Sequence, residues 1–132
     1  MHRCKWFFLA LLAAGCSSPP AAPAFPAAVA GGWNLKGSQS LPMESAPEVV
    51  RRLGTRGCWR ATYEGPGSAT VEMYALAASA LGFEMVQRWR PVAETVVWYT
   101  PRYFVVVKWQ SPDRAAVSAL IRDLQKGFGG RQ

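Results

Sequence analysis

The sequence contains very little histidine and very little cysteine. Its only histidine is His2, and its three cysteines are Cys4, Cys16 and Cys58. A chain without histidine beyond its second residue has no Ser-His or Cys-His relay, and it lacks the usual ligands of zinc and copper. The sequence therefore predicts no catalytic residue of this kind, no bound metal and no cofactor.

The apolar stretch at the start of the chain is too short to cross a membrane. It runs uncharged from Trp6 to Gly15 and covers ten residues, about half of the ~20 that a helix needs to span the hydrocarbon core. The basic residues Arg3 and Lys5 precede this stretch. This layout is typical of a secretory signal peptide.

The stretch ends in Leu12-Ala13-Ala14-Gly15-Cys16, where two small residues stand directly before a cysteine. This motif resembles the lipobox of bacterial lipoproteins, and the resemblance covers only the first sixteen residues. Ala13 stands where leucine is commonest in that class. The resemblance implies that residues 1–15 are removed as a signal peptide. It also implies that Cys16 becomes the first residue and carries a lipid that anchors the protein to a membrane.

The lipobox resemblance also implies a location. Ser17 and Ser18 follow the cysteine without an aspartate, which in this class implies release to the outer membrane, facing the periplasm. The expected protein is therefore exported and lipid-anchored to the bacterial envelope. The alternative is an ordinary secreted protein, cut at an Ala-x-Ala site between residues 22 and 28.

Positive charge dominates, because 15 Lys and Arg oppose 8 Asp and Glu. A basic excess favours anionic neighbours. In an envelope these neighbours are lipid headgroups, lipopolysaccharide or acidic glycans, and export argues against nucleic acid. Once Cys16 carries lipid, Cys58 has no cysteine partner for a disulfide. We interpret Cys58, beside Trp59, as a buried thiol rather than a nucleophile.

Composition divides the rest of the chain into a spacer, a domain and a tail. Residues 16–32 are mostly Ser, Pro, Ala and Gly and predict a flexible spacer after the lipidated cysteine. Its large apolar residues are Phe25 and Val29, which are candidates to dock on the domain. A single domain is expected over residues 33–128, followed by a frayed tail over 129–132.

Periodicity within the domain predicts helices alternating with hairpins. A capping box at Ser45 starts the first helix and Gly54 ends it. A second helix is predicted over 77–89, where Gly82 suggests close packing against a strand. Ser111 is the expected cap of the third. The predicted hairpins join 59–64 to 69–76 and 95–99 to 103–109.

These elements predict an α+β fold. It has a four-stranded antiparallel sheet built from two hairpins, helices mainly on one face, and the order α-β-β-α-β-β-α. The outline resembles small α+β domains of bacterial lipoproteins. The segment from Phe104 to Val107 is apolar on both faces, so it predicts either a central strand covered on two sides or a face that binds something.

Two sets of residues are candidates for binding. Arginine side chains suit phosphate or carboxylate, and an open aromatic sheet face is typical of a partner or ligand surface. The candidate anion-binding cluster is Arg51, Arg52, Arg56 and Arg60. The candidate aromatic surface is Trp89, Trp98, Tyr103 and Trp109.

The predicted function is a membrane-anchored, non-enzymatic binding or structural module of the envelope, with a protein, lipid or glycan as its partner. The first alternative is a domain that binds anionic lipid, lipopolysaccharide or glycan through the arginine cluster. The second is a glycan hydrolase that uses two carboxylates. Its available acids are Glu64, Glu72, Glu84 and Glu94.

Overall fold

The computed structural model describes residues 20–129 of the chain. The predicted signal peptide, the lipobox, Cys16 and the last three residues of the predicted tail lie outside this range. The described strands are β1 (Ala28–Val29), β2 (Trp33–Ser40), β3 (Thr55–Glu64), β4 (Ser68–Leu76), β5 (Thr95–Tyr99) and β6 (Tyr103–Gln110). The α-helices are α1 (Glu48–Arg52), α2 (Ala80–Arg88) and α3 (Arg114–Phe128), and a 3-10 turn covers Met43–Ser45.

The strands form one antiparallel sheet in the order β1-β2-β3-β4-β6-β5. The α+β class and both predicted hairpins, β3 with β4 and β5 with β6, are confirmed. The four-stranded sheet is wrong, because β1 and β2 extend it to six strands. Strand β2 is missing from the predicted sheet because most of its residues are polar and exposed. Such a segment lacks the apolar alternation that indicates a strand.

Helices cover both faces of the sheet, so the prediction of helices mainly on one face is wrong. Helix α3 packs on the first face, against a core that contains Val105 and Val107 of β6. The helices α1 and α2 pack on the second face, with Phe104 and Val106. The apolar residues on both sides of β6 thus mark a central strand covered twice.

The first face holds the larger aromatic core. Trp33, Tyr63 and Trp98 are fully buried there beneath α3. Trp33 Nε1 donates a hydrogen bond to the carbonyl of Ala116 over 2.9 Å, so the start of β2 is fixed to the start of the last helix. None of the helices in the 20–129 range is both long and apolar enough to cross a bilayer.

The described part of the predicted spacer packs on the domain instead of standing clear of it. Val29 is buried and pairs with Trp33. Phe25 meets Phe128 edge-on, with ring centroids 6.3 Å apart. Tyr63 donates its hydroxyl hydrogen to the carbonyl of Pro26 over 2.8 Å. The packed chain therefore begins before residue 33, where the sequence placed the domain boundary.

Two helix starts differ from the prediction. Helix α1 begins after Pro47, and the capping box of Ser45 does not form, because the Ser45 hydroxyl donates to the carbonyl of Pro42 instead. Helix α3 is capped by Asp113 rather than Ser111, and the Asp113 carboxylate accepts the Ala116 N–H at 3.0 Å. Serine and aspartate are both good caps, so the sequence alone did not separate the two positions.

Gly82 lies where α2 touches β5, as its position in the helix predicted. A Cβ at residue 82 would stand 2.7 Å from the Tyr99 ring.

We expect Gly82→Ala to destabilise the domain by about 1–3 kcal/mol through overpacking. Gly127→Ala in α3 is the control, since open space surrounds that position, and it should gain up to about 1 kcal/mol from helix propensity. Urea unfolding of both variants measures the difference, and a stabilised Gly82→Ala would contradict the packing.

Candidate binding site on the second sheet face

The helices on the second face are too short to cover the strands beneath them. Helix α2 has 9 residues and α1 has 5, so each is less than about 15 Å long. The central strands β3, β4 and β6 have 8 to 10 residues and extend over about 25–33 Å. About half of this face is therefore left without a helix above it.

The side chains on this uncovered half are polar. The alternation of β3, β4 and β6 places them on the same side as the buried residues Cys58, Tyr74 and Phe104, but farther along the strands. We call this surface the polar half-face. Its residues are Arg60, Thr62, Glu64, Thr70, Glu72, Lys108 and Gln110.

A buried carboxylate stands where the covered and uncovered halves meet. Glu72 is only 6% exposed, and Tyr74 donates its hydroxyl hydrogen to Oε2. Arg60 donates from Nε and Nη2 to Oε1, over 3.3 and 3.2 Å, and Lys108 Nζ lies 4.0 Å from the same oxygen. These partners compensate for a charge that would otherwise be costly to remove from water.

The same surroundings keep the neighbouring acidic groups neutral. Burial, and then the hydrogen bond to Glu72, raise the pKa of Tyr74 above its ordinary value. Burial also raises the pKa of the Cys58 thiol from 9.0 to about 11, with the Glu72 carboxylate adding to the shift and Arg60 opposing it. Cys58 is buried, as predicted. A thiol that stays protonated at neutral pH is a poor nucleophile.

A groove of about 580 Å³ lies at the far end of the polar half-face. Its floor includes Thr62, Thr70 and Lys108, and the loop from Val92 to Glu94 forms a wall. A smaller depression of about 310 Å³ beside it is lined by residues 36–39 of β2 and shares Thr62. The two hollows lie side by side on the second face and extend from β2 to β5.

The wall of the groove contains a strained residue. Glu94 has a φ of 54°, in the left-handed region where residues other than glycine pay a conformational cost of about 1–2 kcal/mol. Its carbonyl accepts the N–H of Trp109 at 3.1 Å, which fixes the loop to β6. Backbone strain of this kind is concentrated at functional sites.

The four candidate arginines do not share one surface. Arg51 and Arg52 lie exposed on α1, and Arg52 pairs with Glu48 at 2.6 Å. Arg56 lies within the register irregularity at the start of β3. Arg60 belongs to the polar half-face, where it is bound to Glu72.

The four candidate aromatic residues are also separated. Trp98 is fully buried in the first core, so it belongs to no exposed surface. Trp89 packs on Phe104 on the second face, with centroids 5.6 Å apart. Tyr103 and Trp109 are half-buried at opposite ends of β6, and Trp109 borders the groove.

The four acids of the hydrolase alternative lie on three different parts of the domain. Glu64 and Glu72 lie on the same face, but four ladder pairs apart, or about 13 Å along the strands. A glycosidase requires carboxyl groups about 5–9.5 Å apart. Glu84 pairs with Arg88 on α2 at 2.7 Å, and Glu94 lies in the loop beside the groove.

The ion pair of Arg60 and Glu72 could have been found from the sequence. The turn at Gly65–Gly67 pairs Glu64 with Ser68, and counting outward from that pair places Arg60 opposite Glu72. In the sequence Lys108 is only the first charged residue after the apolar run of residues 104–107. Its approach to Glu72 depends on the pairing of β4 with β6, which neither hairpin specifies.

No protein-family model matches the chain, and neither does any curated protein or solved structure. Its function must therefore be argued from its own residues.

The raised thiol pKa predicts a pH dependence of stability. The Cys58 thiol ionises above about pH 9 in the unfolded chain but only near 11 in the folded one, so its stabilising contribution is complete below 9 and is lost as the pH rises toward 11. We expect the free energy of unfolding to fall over this range, and to fall less steeply in Cys58→Ala. Urea midpoints between pH 8 and 11 test this, and parallel curves would contradict it.

Proposed function

We propose that this protein is an exported lipoprotein, anchored through lipid on Cys16, whose folded domain is a non-enzymatic module that binds glycan on the polar half-face. The observation that carries the proposal is the groove left open beyond α1 and α2, which combines hydroxyl, ammonium and carboxylate side chains with apolar surface. The lipobox resemblance supplies the anchor and the envelope location, and the residues 20–129 supply the binding surface.

The side chains of the groove suit a ligand rich in hydroxyl groups. A sugar hydroxyl both donates and accepts hydrogen bonds, so its site needs partners of both kinds. Thr62, Thr70 and Thr95 offer hydroxyls, Lys108 offers donors, and the Glu94 carboxylate offers acceptors. A sheet floor with a fixed loop also holds these groups in place before the ligand arrives, which lowers the entropic cost of binding.

Val92 provides an apolar element at the edge of the groove. Its side chain is 57% exposed and lines the groove wall. The C–H faces of a sugar ring are a complementary apolar surface. Trp109 does not take this role, because its side chain lies on the first face, where it packs against the core beneath α3.

The glycan proposal can be tested with purified peptidoglycan sacculi. The lipidated protein, kept in detergent, should sediment with sacculi. Both Lys108→Ala and Thr70→Val should weaken this association about tenfold, since each leaves a ligand group without its hydrogen bond.

Lys126→Ala is the matched control, because it removes the same charge from an exposed position on α3. Its association should equal that of the unchanged protein. Equal sedimentation of the Lys108, Thr70 and Lys126 variants would reject the groove as the glycan site.

The anchor makes a separate prediction. In detergent phase separation the unchanged protein should enter the detergent phase, and Cys16→Ser should remain in the aqueous phase because the acylated sulfur is lost. Cys4→Ser is the matched control, since that cysteine leaves with the signal peptide. A Cys16→Ser protein that still enters the detergent phase would refute the lipid anchor.

A further inference from the structure

The described chain begins at one end of the sheet. Pro20 lies against the start of β3, where a Cβ on Gly57 would stand 3.1 Å from the Pro20 ring. Tyr103, at the start of β6, donates its hydroxyl hydrogen to the carbonyl of Ala21 over 3.1 Å. From there the chain crosses the first face toward β1, at the opposite end. We call the end that holds Pro20 the tether end.

The packed segment leaves very little free chain between this end and residue 16. Four Cα–Cα steps separate Cys16 from Pro20, and fully extended they reach at most about 14 Å. This distance is less than twice the Debye length of ~8 Å at physiological ionic strength. A lipid on Cys16 would thus hold the tether end within electrostatic range of the membrane surface.

The tether end carries four exposed arginines. Arg56 and Arg102 line one depression together with Pro20 and Ala21. Arg51 and Arg52 form the last turn of α1, and the following Gly54 approaches Ala77, which lines the same depression. The nearby acids are Glu48, which pairs with Arg52, and Glu44 in the 3-10 turn.

Three of these arginines have no acidic partner within the described chain. The ion pairs found between residues 20 and 129 do not include Arg51, Arg56 or Arg102. The opposite end mixes both signs and shows no comparable excess. Its charged residues include Glu64, Glu94 and Asp113 with Lys36, Lys108 and Arg114.

The most exposed large aromatic residue between residues 20 and 129 also lies beside the tether end. Phe83 is 54% exposed and lines a small depression with Ser79 and Pro101. Ser79 and Pro101 also line the depression that holds Pro20. An exposed aromatic ring next to a cationic patch is typical of surfaces that enter the headgroup region of a bilayer.

We propose that the tether end is a membrane-docking surface for anionic lipid, in which four arginines contact headgroups and Phe83 enters the interface. This inference rests on the lipidation of Cys16 proposed above. It replaces the sequence-based cluster, because Arg60 is committed to Glu72 and Arg102 takes its place. The docked domain presents its opposite end, with the glycan groove, away from the bilayer.

Orientation on vesicles tests the proposal. The full lipidated protein is labelled through a single introduced cysteine, either Ser79→Cys at the tether end or Gln110→Cys at the other, and reconstituted into vesicles that carry a headgroup-linked energy acceptor. The buried Cys58 has to remain unlabelled. The two sites lie at opposite ends of the sheet, about 25 Å apart along the strands. With phosphatidylglycerol present, we expect the Ser79 label to be quenched at least fivefold more than the Gln110 label.

The arginines are tested by replacing Arg51, Arg52, Arg56 and Arg102 together with glutamine. A cation near an anionic surface contributes about fivefold to the docked population, so the difference between the two labels should collapse. It should also collapse in pure phosphatidylcholine or at high salt. The matched control replaces Arg88, Arg90, Arg114 and Arg122, which removes the same charge elsewhere, and should leave the difference intact.

Two failures are distinguishable. A mass for the N-terminal peptide that shows no lipid on Cys16 would overturn the anchor, and the docking inference with it. A lipidated protein whose labels are quenched equally, or whose orientation ignores the four tether-end arginines, would overturn the docking surface alone.

Discussion

The feature on which the rest of the structure depends is a mismatch of length between helices and strands on one side of the sheet. The fifteen residues of α3 cover much of the first face, and that face is apolar along its strands. The helices α1 and α2 are far shorter than the strands they cover, so the second face changes from apolar to polar midway. The groove and the buried carboxylate both follow from this boundary.

Glu72 marks the boundary because its carboxylate has one oxygen toward each environment. The oxygen bound by Tyr74 faces the covered half, and the oxygen bound by Arg60 faces the open half. A carboxylate buried without such partners would be costly. With them, it holds the arginine in a defined position at the edge of the polar surface and keeps the neighbouring thiol and phenol protonated.

Local sequence patterns predicted most helices and strands. The features that depend on pairing between distant strands could not be predicted. The two hairpins and the tight packing at Gly82 followed from turn residues and alternation. Strand β2 is absent from the predicted sheet, since a strand that is polar and exposed over most of its length carries no period-two signal. The polar half-face could not be predicted either. The approach of Lys108 to Glu72 depends on the pairing of β4 with β6, and the connection between these strands contains α2. The predicted aromatic surface includes the buried Trp98, because a tryptophan fits the same strand alternation whether its side chain is buried or exposed.

The packing of Phe25 on Phe128 and the hydrogen bond from Trp33 to Ala116 have a consequence for the order of events during synthesis. The first part of the domain to emerge packs against the last part, which follows more than eighty residues later. Closing so long a loop is slow, because its entropic cost is met before any contact forms. The first face is therefore completed only after α3 has emerged, and a chain halted before that helix leaves its tryptophans open to solvent.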